Sequence, residues 1–117
     1  IDAFLFLPIK NRMSQTVTSP IWLERTELLL GTEALETLKS KHVLIVGLGG
    51  VGSFAAEFVA RSGVGQLTIV DGDVVDITNI NRQLQATHAT IGLSKAKLIK
   101  QRIVDINPDI KIHAVEK

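Results

Sequence analysis

The sequence predicts an α/β fold. It is Rossmann-like, the N-terminal half of a doubly wound parallel sheet, preceded by short helices. Three observations carry this. A continuous apolar run, Val43, Leu44, Ile45 and Val46, reads as a strand buried on both faces. It ends in Gly47, Gly49, Gly50 and Gly52, and a helical run follows. A second strand, residues 67–70, then ends on Asp71, nineteen residues after Gly52. Strand, glycine turn, helix, strand and acid in this register form the half-unit of a dinucleotide-type fold.

Residues 1–12 are apolar and broken by Pro8, without the basic start or small-residue cleavage site of a signal peptide. Met13 is the single methionine and a polar stretch follows it. The expectation is a flexible extension over 1–19, with Met13 as the natural start. From Pro20 the pattern is helical as far as Gly31, with Trp22, Leu29 and Leu30 as an apolar stripe. Gly31 suits the position just past a helix end, and Thr32 is expected to cap a short helix over 33–39. In the helix after the glycine turn, Phe54 and Phe58 share a face, as do Ala55 and Val59. Gly63 and Gly65 stop it.

Residues 72–92 have little periodicity and are crowded with polar groups, among them Asp73, Asp76, Asn79, Asn81, Arg82, Gln83, Gln85 and His88. Such a stretch inside a compact domain is usually functional or disordered. Because it begins at Asp71, a functional role is expected. Ser94 then caps a helix over 95–106, with Ala96, Ile99, Ile103 and Ile106 on one face. Asn107 and Pro108 end it, and residues 110–115 alternate as a third strand. In a doubly wound sheet the first strand is central. Nothing in the chain pairs with its other side, so residues 20–117 are expected to be half of a domain that self-associates when alone.

With 117 residues the chain suits one domain. A net charge of +1 gives no strong electrostatic case for nucleic acid. There is no cysteine, hence no disulfide framework and no thiol nucleophile, which fits a reducing compartment such as the cytoplasm. No run approaches the roughly 18 apolar residues of a membrane span.

The glycine turn lets the backbone come close to a phosphate, and the following helix points free N–H groups and its dipole there. Asp71 stands where an acid accepts from a ribose hydroxyl. The turn alone does not choose between NAD, FAD and ATP. Arg82, Lys95 and the nearby amides suit a triphosphate better than a pyrophosphate. The plainer alternatives are Arg82 paired with Asp73 or Asp76, and Lys95 as a solvated lysine in a first turn that disfavours cations. Arg25 alone reads as a solvated helix residue. His42, His88 and His113 have no metal-ligand spacing. Lys95, Lys97, Lys100 and Arg102 make one helix basic, more simply a solvated face than a nucleic-acid contact.

Six linked motifs resemble the ThiF/MoeB/HesA family, relatives of the ubiquitin-activating enzymes: GLGGVG at 47–52, SGVG at 62–65, DGD at 71–73, NINRQ at 79–83, GLSK at 92–95 and INP at 106–108. NINRQ and the RTELLLG lead-in at 25–31 are most like the TcdA branch, the tRNA threonylcarbamoyladenosine dehydratases. The sulfur-carrier activators more often have Gln where Asn81 stands. The resemblance implies an ATP-dependent adenylation of a carboxylate, on adenosine 37 of tRNA in the TcdA branch and on a ubiquitin-like carrier protein in the sulfur-carrier branch. It implies that Gly47, Gly49, Gly50 and Gly52 hold the nucleotide, with Gln83 beside it. Asp71 takes the ribose, and Asp73 sits nearby. Asn79, Arg82 and Lys95 meet the phosphates, and Arg25 reaches the phosphates of the neighbouring subunit in a homodimer. The family's magnesium-binding aspartate falls beyond residue 117, so this chain alone is expected to be inactive. The rivals are a nucleotide-binding or dimerisation module without chemistry and an NAD(P)-dependent oxidoreductase. Retained cations disfavour the former and the polar loop disfavours the latter.

Overall fold

The computed structural model describes residues 19–117. The expectations for residues 1–19, including the start at Met13, lie outside the described residues except at Ser19. A short 3-10 turn, Ile21–Leu23, leads into α1, Glu24–Leu30. Gly31 breaks the chain at φ 90°, and α2 follows over Thr32–Lys39. The remaining elements are β1 (His42–Val46), α3 (Gly52–Arg61), β2 (Gln66–Val70), a 3-10 turn (Ile77–Asn79), α4 (Lys95–Ile106) and β3 (Lys111–Val115). The strands form a parallel sheet in the order β1-β2-β3, with His42 opposite Gln66 and Gln66 opposite Lys111. The architecture is the α/β, Rossmann-like one that the sequence predicts.

α3 and α4 cover one face of this sheet. Ala56, Ala60, Ala96, Ile99 and Ile103 are fully buried against Leu67 and Ile69, with Val43, Ile45, Ile112 and Ala114 packed on them. Asn107, at the end of α4, donates to the carbonyls of Ala60 and Val64 and so ties α4 to the end of α3. Glu57 of α3 takes Arg102 of α4 and, at 3.4 Å, Arg61 of its own helix.

Several expectations about faces are corrected. β1 is not buried on both sides, because Leu44 is 62% and Val46 72% exposed. Among the described residues no helix layer covers that face. The inward face of α3 is Ser53, Ala56, Glu57 and Ala60, while Phe54 and Phe58 turn outward. Small side chains let a helix approach a sheet closely, and two phenylalanines would hold it off. Trp22, Leu29 and Leu30 also face outward, and Leu23 and Glu27 are the buried residues. Leu23 is drawn in against Gly63, in the turn between α3 and β2. Thr32 does not cap α2. It is the first helical residue, and its hydroxyl donates to Glu27.

Candidate functional site

Of the residues singled out in the sequence, the glycines, Asp71, Asp73, Arg82, Gln83 and Lys95 converge at the C-terminal ends of β1 and β2, where ligands bind in open α/β sheets. The Gly47 N–H donates to the Val70 carbonyl at 2.7 Å, and Gly47 has φ 91°. The turn therefore leaves β1 pinned to the end of β2. Gly52 begins α3, and a Cβ there would lie 1.8 Å from the Gly47 carbonyl oxygen. Only glycine lets the helix start so close to the strand it has just left.

Asp71 stands at the rim and braces the turn. Its Oδ2 accepts the Leu48 N–H at 2.7 Å and its Oδ1 the Asp73 N–H at 2.8 Å. Each oxygen keeps a lone pair for a hydroxyl. An open crevice of about 470 Å³ lies here, lined by Gly47, Val70, Asp71 and Asp73. A more enclosed cavity of about 250 Å³, between Trp22, Leu35 and the turn at 63–65, sits at the other end of the strands, away from the glycine turn.

The polar loop folds back over the turn. Asp76 starts the 3-10 turn with a capping box. Its carboxylate accepts from the Thr78 N–H, and its own N–H donates to Asn79 Oδ1 at 2.8 Å. Asn79 is buried and spends that oxygen on the turn, leaving its amide nitrogen for a ligand. The bonds from the Thr78 hydroxyl and N–H, with the charge of Lys95, hold the Asp76 carboxyl below its usual pKa. Gln83 is buried alongside Gly49. The Arg82 stem lies 3.4 Å from where a side chain on Gly50 would begin, and its exposed head donates to the Thr78 carbonyl and to Asn81. Arg82 is thus bonded to its own turn rather than to Asp73 or Asp76.

Lys95 is buried, so it is not a solvated lysine. Its N–H donates to the Asp73 carbonyl, and its ammonium lies 4.0 Å from the exposed Asp73 carboxylate. Ser94 caps α4 through the Lys97 N–H, and a bridge between Val74 and Ser94 brings this helix start beside Asp73. Two other cations of α4 have acidic neighbours, with Arg102 on Glu57 and Lys97 at 3.9 Å from Glu116. Arg25 is exposed on α1, which packs on α2 and on the 3-10 turn before it. His42 shares a hydrogen bond with Thr68 at 2.7 Å on the open face of the sheet.

Ser53 escaped the sequence reading, and Gln85 stood in its polar stretch without a role. Ser53 is fully buried, donates to the Gly49 carbonyl at 2.5 Å and accepts the Leu84 N–H at 3.2 Å. Gln85 is buried and donates to the Leu48 carbonyl at 2.8 Å. Their partners are up to 37 residues away in sequence, so no local pattern marks them.

A parallel sheet, a glycine turn on a helix start and an acid at the next strand end define a domain of the Rossmann class. The model of the ThiF family matches residues 23–117, and the chain belongs to that family. It is 56% identical over 92 residues to the tRNA threonylcarbamoyladenosine dehydratase of Bacillus subtilis, covering 79% of this chain and 36% of that protein. The Escherichia coli enzyme of the same name, solved with AMP, superposes with a TM-score of 0.80 at 42% identity, covering 88% of this chain and 43% of that one. The same enzyme solved with ATP gives 0.79 at 42% identity, covering 87% and 43%. The molybdopterin-synthase adenylyltransferase of Salmonella typhimurium is 43% identical over 83 residues, 71% of this chain and 33% of that protein. The chain spans about a third of the length of the curated relatives it matches.

Proposed function

We propose that this chain holds ATP for the adenylation of a carboxylate, as the N-terminal half of an adenylating domain. The proposed carboxylate belongs to N6-threonylcarbamoyladenosine at position 37 of tRNA. One of its oxygens attacks the α-phosphorus of ATP, the bond to the β-phosphate breaks, and pyrophosphate leaves. An internal nucleophile of the same nucleoside then attacks the acyl carbon and expels AMP, closing a ring with net loss of water. The observation that carries this reading is the convergence of the glycine turn, Arg82 and Lys95 at one strand rim. The 56% identity to a tRNA threonylcarbamoyladenosine dehydratase supports the choice of substrate.

The nucleophile is a carboxylate, ionised at neutral pH, so the first step needs no general base. The difficulty is bringing one anion onto another, and charge neutralisation and in-line positioning answer it. In this reading the turn receives the phosphates on backbone N–H groups and Asp71 the ribose. Arg82 and Lys95 stabilise the charge that develops at phosphorus, and Arg25 serves the nucleotide of a second subunit in a homodimer. ATP reactions of this type use magnesium to neutralise phosphate charge. Among the described residues no group of three or more His, Cys, Asp or Glu is arranged to hold a metal ion. The metal is therefore assigned no residue and no step here. No helix among the described residues is long and apolar enough to cross a membrane. A cytoplasmic setting, where tRNA and ATP are both available, is part of the proposal.

The identity to a molybdopterin-synthase adenylyltransferase favours one second reading, adenylation of the C-terminal glycine of a ubiquitin-like carrier protein. The test is to incubate the full-length protein with ATP, magnesium and tRNA bearing threonylcarbamoyladenosine, then weigh the digested nucleosides. Loss of one water with AMP formed is the expected result. An unchanged nucleoside, with pyrophosphate exchange stimulated by a small carrier protein, would transfer the assignment to the second reading.

A further inference from the structure

Ser53 and Gln85 carry nothing in the scheme above, yet both are buried polar side chains bonded to the glycine turn. In a trans peptide the carbonyl of one residue and the N–H of the next point in opposite directions. Gln85 holds the Leu48 carbonyl and Ser53 holds the Gly49 carbonyl. The Gly49 and Gly50 N–H groups therefore point the other way, off these two side chains. Among the described residues neither N–H is donated to a protein acceptor, whereas the Leu48 N–H is taken by Asp71. Ser53 also receives the Leu84 N–H, and the Arg82 stem rests on Gly50. The turn and the segment 82–85 are thereby fastened to each other on both sides of the site.

We propose that Ser53 and Gln85 are positioning residues that latch the glycine turn to the segment carrying Arg82. The Gly49 and Gly50 N–H groups and the guanidinium then meet one polyphosphate as a preassembled surface. The purpose of the latch rests on the nucleotide reading of the turn. A loose turn gives up its freedom when the ligand binds, and a latched one has given it up beforehand. Donors fixed in advance also need no reorganisation as charge develops. The Oε1 of Gln85 is buried without a partner among the described residues. An apolar side chain would avoid that cost, so it is the bond to Leu48 that favours an amide here.

The test uses Gln85→Met, which keeps the volume and removes the donor, and Ser53→Ala, which removes the hydroxyl. Either one carries the test if the other fails to fold, as judged by thermal melting. In the full-length protein without nucleotide, amide hydrogen exchange at Leu48 and Leu84, whose N–H groups are held by Asp71 and Ser53, should quicken about tenfold while β2 and α4 keep their protection. Affinity for a fluorescent ATP analogue should fall about tenfold. On an Arg82→Ala background the loss caused by Gln85→Met should shrink to about threefold or less, because residues acting as one unit are not additive. Unchanged exchange in both folded variants would overturn the latch. Fully additive losses with Arg82→Ala would overturn its coupling to the guanidinium. If exchange quickens but the unmutated protein binds no ATP, the latch stands and the nucleotide reading falls.

Discussion

Gly50 and Gly52 sit two residues apart and fail differently when altered. An alanine at Gly52 would put its Cβ 1.8 Å from the Gly47 carbonyl oxygen, which is backbone and cannot swing aside. Gly52→Ala is expected to cost about 1–3 kcal/mol or more, read as a lower melting temperature, with loss of ATP binding. At Gly50 the nearest atoms, at 3.4–3.5 Å, include the flexible stem of Arg82. Gly50→Ala should melt near the parent temperature and still bind ATP more weakly, because a methyl group now stands at the phosphate surface. At the same scale, Arg82→Ala or Lys95→Ala in the full-length enzyme should lower turnover on the order of 10²–10³-fold, the loss of one transition-state donor. Near-normal turnover in a rapid-quench assay of either variant would remove its phosphate role. The glycines and Asp71 stand out by their spacing, whereas Arg82 and Lys95 stand out through the linked motifs that resemble the family. The burial of Lys95 was not legible, since it depends on the chain returning from Leu93 to Val75 to place Ser94 beside Val74.

Helices α3 and α4 are held together by an apolar seam, the Asn107 amide and one carboxylate. Burial would raise the pKa of Glu57, but the hydrogen bond and charge of Arg102, with the charge of Arg61, outweigh it and hold the carboxyl below its ordinary value. A carboxyl depressed in the folded state contributes stability that is full above its unfolded pKa. That contribution is lost as pH falls through the folded value. Glu57→Gln should therefore lower stability at neutral pH by about 1.5–3 kcal/mol, the range of a hydrogen bond to a charged group. The gap between the melting curves of parent and variant should close as the pH falls below the ordinary carboxylate range. A gap that stays constant with pH would show that the ion pair is not what joins the helices. The span of α4, its Ser94 cap and its Asn107 end were legible from periodicity and local capping chemistry. The inward face of α3 was not. Its apolar residues lie on more than one side, and only the nearness of the sheet selects Ala56 and Ala60 over Phe54 and Phe58.

At the scale of the whole molecule, one face of the sheet is packed and the other is open. Leu44 and Val46 are 62% and 72% exposed, and among the described residues β1 has a strand on one side only. An edge strand without charge or proline along its length invites pairing with another chain. The 117-residue chain expressed by itself is expected to associate with rising concentration in sedimentation velocity, and Leu44→Lys with Val46→Lys to suppress this. A chain that stays monomeric at high concentration would refute the expectation.

By itself the sequence determined the order of the elements, the parallel α/β class, the place of the glycine turn and the chemistry gathered around it. Those features rest on residue periodicity, capping groups and glycine conformational freedom, all of which act within a few residues. Only the tertiary structure decided which helix faces turn inward, that Lys95 is buried beside Asp73, that Ser53 takes the Leu84 N–H from 31 residues on, and that Gln85 holds the turn from 37 residues away. Those features depend on side chains brought together by sheet crossovers, and no short-range pattern encodes a contact whose partner lies a whole element away.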